Sequence, residues 1–382
     1  MATKYPAELG FLMPAEWEPH EATWLGWPQN ASDWPGKMAA VPWVYGEIVR
    51  KIAPGEKVRI VVGSKAFEAR ARRVLEIAGV DLGQVEFFHW PTDRGWMRDS
   101  GPIFVRRERR VRGARASMYP ATAPPSAGSG DPRRARAGGE LAIVDFHFKG
   151  WARYDNWRKD RCVPRRASRA LRLRLFEAKY GTRKFILEGG GIDVNGRGTL
   201  LTTEECYLDD KTQVRNPGMW PHEVEVSLER YLGVTNVLWL GRGISGDDTH
   251  GHVDDVCRFV GPRTVVLCKC EDPKDVNYRP LEENFERLAD MRLEDGAKIE
   301  VVPLPMPAPL TWRDYRLPAS YANFYVANAA VLVPTFNDPR DREALGILAE
   351  LFPGRPVVGI HAVDLVLGFG TLHCLAQQQP AP

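Results

Sequence analysis

Short runs of β-branched residues alternate along this chain with stretches whose apolar residues recur every three or four positions. Runs of the first kind predict strands at Val58–Val62, Val85–His89, Ala142–Phe148, Val237–Leu240, Thr264–Lys269, Ile299–Pro303 and Ala330–Pro334. The spacing of the second kind predicts helices over Trp43–Ile52, Ala66–Ala78, Val224–Tyr231, Pro280–Met291 and Asp341–Leu351. Gly79 and the pair Pro353-Gly354 stand where the second and the last of these helices should stop. No exact sequence repeat is present. A loose unit of strands, a helix and a further strand nevertheless recurs every ~60–75 residues, which points to one repeated supersecondary element.

Composition narrows the picture. Of 382 residues, 44% are hydrophobic and 26% charged, an ordinary globular balance that excludes disordered, collagen-like and membrane-embedded chains. The longest apolar run, Val326–Pro334, is far short of the ~20 residues that span a bilayer. The opening MATKYPAELGFLMPAEW lacks a signal peptide's apolar core, and six cysteines are too few for a disulfide scaffold. A cytoplasmic protein with reduced thiols is therefore expected.

The formal charge of +3 is unevenly spread. Residues 106–139 hold nine arginines against Glu108 and Asp131, a local net of +7, which leaves −4 for the rest. Rich in Ala, Gly, Pro and Arg without an apolar period, this stretch reads as a disordered surface insertion. A nucleic-acid or membrane-surface arm is the other reading, but Tyr119 is its only aromatic residue. The mildly acidic remainder suits a small cationic partner, with neither nucleic acid nor membrane expected. Glu188-Gly189-Gly190-Gly191 has neither the lysine nor the spacing of a phosphate-binding loop, so nucleotide binding is not supported.

Four segments set polar side chains beside glycine: Trp96–Pro102, Leu187–Gly190, Asp247–Asp255 and Gly368–Cys374. In the third, His252 and Asp254 would share one face of an extended segment entering the strand-like Val256–Val260. A metal reading would use His250, His252, Asp254 and Cys257, but no tight ligand cadence backs it, and no metal or organic cofactor is expected. Cys374, by default a small core residue, sits instead among glycines that would admit a substrate, and His252 could transfer protons for it.

The carboxylates suggest what such a thiol would attack. Asp99, Glu188 and Asp254 lie in three separate glycine-flanked loops, with Asp248 as a spare. Carboxylates crowded round a thiol suppress the thiolate unless the substrate is itself a cation. A guanidinium is planar with five donors, so two carboxylates can clamp it while its charge favours the thiolate. The set therefore points to nucleophilic attack on a guanidinium carbon.

These residues resemble the agmatine deiminase family, related to the bacterial peptidylarginine deiminases among the guanidino-group modifying enzymes. The likeness runs from Met13-Pro14-Ala15-Glu16-Trp17-Glu18-Pro19-His20-Glu21-Ala22-Thr23-Trp24 to His373-Cys374-Leu375-Ala376-Gln377-Gln378. It implies an α/β fold of the pentein type, a five-bladed α/β propeller of repeated ββαβ units forming a single catalytic domain over residues 1–382. It also implies Cys374 as nucleophile, His252 as general acid/base and Glu188 as the acid orienting that histidine. Asp99 and Asp254 would grip the guanidinium, with Trp96, Arg98 and Asp248 as further substrate-binding residues. One departure stands out: plant-type relatives resemble G-G-G-x-I-H-C before the nucleophile, where this chain has Phe369 and Thr371.

The function so implied is hydrolysis of agmatine to N-carbamoylputrescine and ammonia in putrescine synthesis, without a cofactor. An arginine or peptidylarginine deiminase keeps the chemistry and changes the substrate. An amidinotransferase would pass the same intermediate to an amine, and a polyamine-binding propeller would do no chemistry. A homo-oligomer is left open.

Overall fold

The computed structural model describes residues 4–108 and 139–382. Most of the Arg-rich stretch expected as an insertion lies outside the described residues. Its first two positions, Arg106 and Arg107, are instead the end of the strand Ile103–Arg107, paired with Leu141 and Glu140 across an antiparallel ladder.

Five sheets repeat one plan. In four of them a first strand runs antiparallel to a second, and a helix crosses over to a third strand parallel to the second. The first of these four joins Ile103–Arg107, Glu140–Asp145 and Arg174–Glu177. The next joins Asp193–Val194, Thr199–Thr203 and Asn236–Leu240. Then come Cys257–Phe259, Thr264–Lys269 and Glu300–Pro305, and finally Tyr325–Val326, Val331–Thr335 and Val357–His361. The crossover helices are Val163–Leu171, Pro221–Leu232, Tyr278–Asp290 and Arg340–Leu351.

The fifth sheet is assembled from both ends of the chain. The C-terminal strand Ala376–Pro380 pairs antiparallel with His20–Gly26, which continues in parallel to Lys57–Val62 and Val85–His89. This is the ββαβ repeat implied for a pentein-type α/β fold.

Local chemistry accounts for these elements. Central strands such as Thr264–Lys269 read as near-continuous apolar runs because helices and neighbouring sheets bury both faces, and Val265 to Cys268 are wholly buried. The helix Lys65–Ile77 starts where the Ser64 hydroxyl accepts from the Phe67 amide. It stops at Gly79, whose φ of +75° suits glycine.

The seven predicted strands and five predicted helices are all present, Val85–His89 and Thr264–Lys269 as predicted and the others with ends shifted by up to three residues. Added to them are Val163–Leu171, whose VPRRASRAL has a polar run, and two-residue strands such as Asp193–Val194 that are too short for any pattern. One expectation is overturned. The segment after His252 is not extended but turns through Val253–Asp255, so the strand begins only at Cys257.

Candidate active site

Just before the first strand of each sheet the chain makes one short helical turn. These turns are Met97–Ser100, Gly189–Gly191, Val253–Asp255, Tyr321–Asn323 and Leu372–Leu375. Each touches the next, and the last returns to the first, so the five close a ring. The ring presents Asp99, Glu188 with Gly190, Asp254, Asn323 and Cys374, one contribution from each repeat. Four of these are positions the sequence singled out. Asn323 is the fifth, and no glycine flanks it to mark it.

Cys374 is 4% exposed and His252, Glu188 and Asp254 are fully buried. The Asn323 amide donates to Cys374 Sγ at 3.0 Å and to Asp255 at 3.0 Å, while its carbonyl accepts from the Thr371 hydroxyl and the Cys374 amide. Thr371 thus works as a brace for Asn323. On the other side, Cys374 Sγ lies 3.6 Å from Asp254 Oδ2. Burial first, then the nearby Asp254 and Asp255, pushes the Cys374 thiol well above its ordinary value.

His252 faces carboxylates on two sides. Its Nδ1 is 3.8 Å from Asp99 Oδ1 and 4.0 Å from Asp254 Oδ1, and its Nε2 is 3.6 Å from Glu188 Oε2. Burial opposes its charge, but Asp99, Glu188 and Asp254 outweigh burial and raise its pKa to about 10. The ring is therefore an imidazolium at neutral pH.

Glu188 is desolvated yet held below the usual carboxylate range by Arg215, whose Nε sits 3.1 Å from Glu188 Oε2. Arg215 belongs to the segment Val214-Arg215-Asn216-Pro217, which offered no sequence signal. Desolvation, reinforced by Asp254 and Glu188, raises Asp99. Its oxygens accept from the Gly190 amide and from Trp151 Nε1, both at 2.9 Å.

Four buried polar sites here have no hydrogen-bond partner: both nitrogens of His252, Glu188 Oε1 and Asp254 Oδ1. Unpaired buried polar atoms are costly and rare, and their grouping beside a thiol marks a place built for a polar ligand.

Gly190 leaves the room. A Cβ there would stand 2.5 Å from His252 Nδ1, 2.9 Å from Asp99 Oδ1 and 3.0 Å from Asp254 Oδ2. Gly190→Ala is accordingly expected to lower kcat/KM by at least ~100-fold together with Tm, since the methyl would push His252, Asp99 and Asp254 out of place. Steady-state kinetics and a melting curve check it, and near-normal kcat/KM would mean that the substrate sits elsewhere.

The other expected substrate residues divide. Trp96 lies against the loop before Cys374, close enough that Cβ atoms at Gly368 or Gly370 would meet its ring at 2.9 Å. Asp248 accepts from the Tyr154 hydroxyl, and burial raises it to about 6. Arg98 does not face the unpaired cluster. Its guanidinium is spent on Glu16 at 3.0 Å, Gln378 at 2.7 Å and the His373 carbonyl at 3.3 Å, which makes it a scaffold residue. A cation there would also repel a guanidinium.

The four residues of the metal reading are not brought together. His250 Nε2 pairs with Asp209 at 2.8 Å. Among the described residues the groups with metal-compatible spacing are Glu188, Cys206 and His252, and separately Asp254, Asp255 and Cys374.

Compared with known proteins, residues 12–380 match the family model described as Porphyromonas-type peptidyl-arginine deiminase. An agmatine deiminase of Pseudomonas aeruginosa (strain LESB58) is 34% identical over 404 residues, which take in 100% of this chain and 98% of the relative. The agmatine deiminase of Medicago truncatula is 35% identical, with 98% of each chain covered. Among solved structures, the agmatine deiminase of Enterococcus faecalis superposes with a TM-score of 0.83 at 28% identity, covering 100% of this chain and 99% of the other.

Proposed function

The chain belongs to the Porphyromonas-type peptidyl-arginine deiminase family, and from that premise we propose that it hydrolyses agmatine to N-carbamoylputrescine and ammonia through a covalent intermediate on Cys374. It is a hydrolase of amidine C–N bonds, as its relatives are. The observation that carries the site assignment is the set of unpartnered buried atoms on His252, Glu188 and Asp254 beside the thiol. A guanidinium, flat and rich in donors, supplies what the carboxylate oxygens lack.

The free site holds a neutral thiol and an imidazolium, given the raised Cys374 and a His252 pKa of about 10. A bound guanidinium between Asp99 and Asp254 adds the positive charge that lets Cys374 release its proton to solvent, His252 being already protonated. The thiolate adds to the guanidinium carbon, and His252 gives a proton to the departing amino group, which leaves as ammonia. An S-alkylthiouronium remains on Cys374. His252, now neutral, takes one proton from water as the oxygen adds to that carbon. The C–S bond then breaks and the remaining hydroxyl proton passes to the departing sulfur, which restores the thiol and frees the ureido product. Glu188, clamped by Arg215, keeps the imidazole in place through both halves.

This account predicts a particular pH dependence. Because burial and carboxylates raise the Cys374 pKa in the free protein, it is a thiol at neutral pH. Alkylation by iodoacetamide should be slow at pH 7 and still rising past the ordinary thiol value of ~8.5. Agmatine should protect against it. An inactivation rate that levels off below pH 7 would contradict the raised thiol.

A substrate panel tests the function itself. Agmatine, free arginine and an N-acylated arginine ester are incubated with the protein, and ureido product and ammonia are measured. Agmatine is expected to give the highest kcat/KM with equal yields of both products. Preference for either arginine compound would move the assignment to an arginine deiminase. Transfer to an added amine would make it an amidinotransferase, and binding without turnover would end the enzymatic reading.

A further inference from the structure

Beneath the thiol lies a second polar layer that the reaction as written does not use. His373, 1% exposed, sits between two carboxylates: its Nδ1 is 2.6 Å from Asp254 Oδ2 and its Nε2 is 2.8 Å from Glu16 Oε2. Glu16 is itself fixed by Arg98 at 3.0 Å, Arg258 at 3.0 Å and the Val326 amide at 2.9 Å. The residue before the nucleophile is thus the link between a buried arginine pair and the site's own aspartate.

We infer that His373 is a positioning residue for the reaction, holding Asp254 by one oxygen so that the other is left for the guanidinium and the first is kept from capturing the Cys374 proton. The inference rests on the assignment of Cys374 and Asp254 given under the proposed function.

Three observations support it. An ionised carboxylate only accepts, so the Nδ1 that bonds Asp254 Oδ2 must be the donor. Second, Asp254 Oδ2 lies near both His373 Nδ1 and Cys374 Sγ, at 2.6 and 3.6 Å, while Oδ1 has no partner. A carboxylate tied at one oxygen by a short charge-assisted bond cannot rotate, so its free oxygen stays aimed. Third, despite burial the hydrogen bond from His373 keeps Asp254 below the usual carboxylate range, so it is ionised when the substrate arrives.

The groups facing His373 from its surroundings are Glu16, Asp254, Asp193, Arg98, Arg258 and Cys374. The arginines already engage Glu16, which leaves His373 as the side chain that hydrogen-bonds Asp254 Oδ2.

The test is His373→Ala, which leaves Asp254 Oδ2 without its donor, assayed with agmatine beside the wild type. Loss of one charge-assisted bond to Asp254 should lower kcat/KM by about 10- to 100-fold. With Oδ2 released towards Cys374, iodoacetamide alkylation of the variant should also shift to higher pH than in the wild type. Loss of activity with an unmoved alkylation profile would reduce His373 to a packing residue and overturn the inference, as would activity within about twofold of wild type.

A measurement on the unaltered protein guards against a variant that does not fold. Nitrogen NMR of the His373 ring, assigned through its neighbour Cys374, should show a proton on Nδ1, the nitrogen facing Asp254, and an Nδ1 without a proton would overturn the inference. If the wild type fails to turn over agmatine, the functional reading falls. The alkylation profile and the ring spectrum still judge His373 separately.

Discussion

Replacing Cys374 by serine is expected to cut agmatine turnover by at least ~10,000-fold while leaving the protein folded. The two side chains differ by one atom, and the serine hydroxyl would inherit the Asn323 amide that now donates to sulfur at 3.0 Å. Packing and hydrogen bonding at this 4%-exposed position therefore survive. What does not survive is the nucleophile. A bound guanidinium can draw a proton from a thiol whose ordinary pKa is ~8.5, but an alcohol is far beyond that reach. The substrate should still bind, so calorimetry with agmatine is expected to show saturable binding in a protein with no measurable ureido product. Turnover at the wild-type rate would remove Cys374 from the mechanism.

The second large effect concerns the carboxylates. Asp254→Asn keeps the shape but replaces one oxygen of a fully buried carboxylate by a donor, which must point either at the guanidinium or at His373 Nδ1. Asp99→Asn sets an amide donor against the Gly190 amide or Trp151 Nε1, which both of its oxygens now satisfy. Truncating one partner of a desolvated charge pair costs on the order of 2–5 kcal/mol. That is roughly 30- to several-thousand-fold in kcat/KM. Because the same charges hold the cation that promotes the thiolate, kcat should fall along with the rise in KM. An exposed carboxylate such as Asp290, near the end of its helix, is the control, worth about 0–1 kcal/mol. A clamp variant that behaves like Asp290→Asn does not hold the guanidinium.

Much of this site was legible because its residues sit beside glycine. Asp99, Glu188, Asp254 and Cys374 each ride on a tight turn, and close backbone packing there excludes side chains, as the Cβ distances at Gly190 and Gly370 show. Asn323 had no such mark, since its turn is capped by the Ser320 hydroxyl instead. Only the repeat reveals it, as the fifth turn in a ring whose other four members carry the proposed chemistry. Arg215, Glu16 and His373 escaped for a different reason. They act by pairing with residues up to 357 positions away, and such pairs leave no local pattern. Arg98 was misassigned on the same ground, because proximity in sequence to Asp99 does not say which way a helical turn aims its neighbours. The extended reading of His252–Asp254 failed since alternation of polar and apolar residues over three positions cannot separate a strand from a single turn.

The strands and helices were easier. Each predicted one is long enough to repeat its period, whereas some of the others are two residues long or, like Val163–Leu171, too polar to show it, and the short strands His20–Gly26, Ile103–Arg107, Thr199–Thr203 and Val357–His361 go unpredicted. The C-terminal strand Ala376–Pro380, read as Ala-Gln-Gln-Gln-Pro, was invisible by composition. Its ladder with His20–Gly26 nevertheless ties the cysteine turn into the ring.

The most direct measurement is the mass of the protein caught in mid-reaction. Wild-type protein turning over saturating agmatine is quenched in acid and digested for peptide mapping. The account predicts an adduct on Cys374 whose added mass is that of agmatine less ammonia. An adduct on any other residue, or undiminished turnover by protein fully alkylated at Cys374, would contradict it.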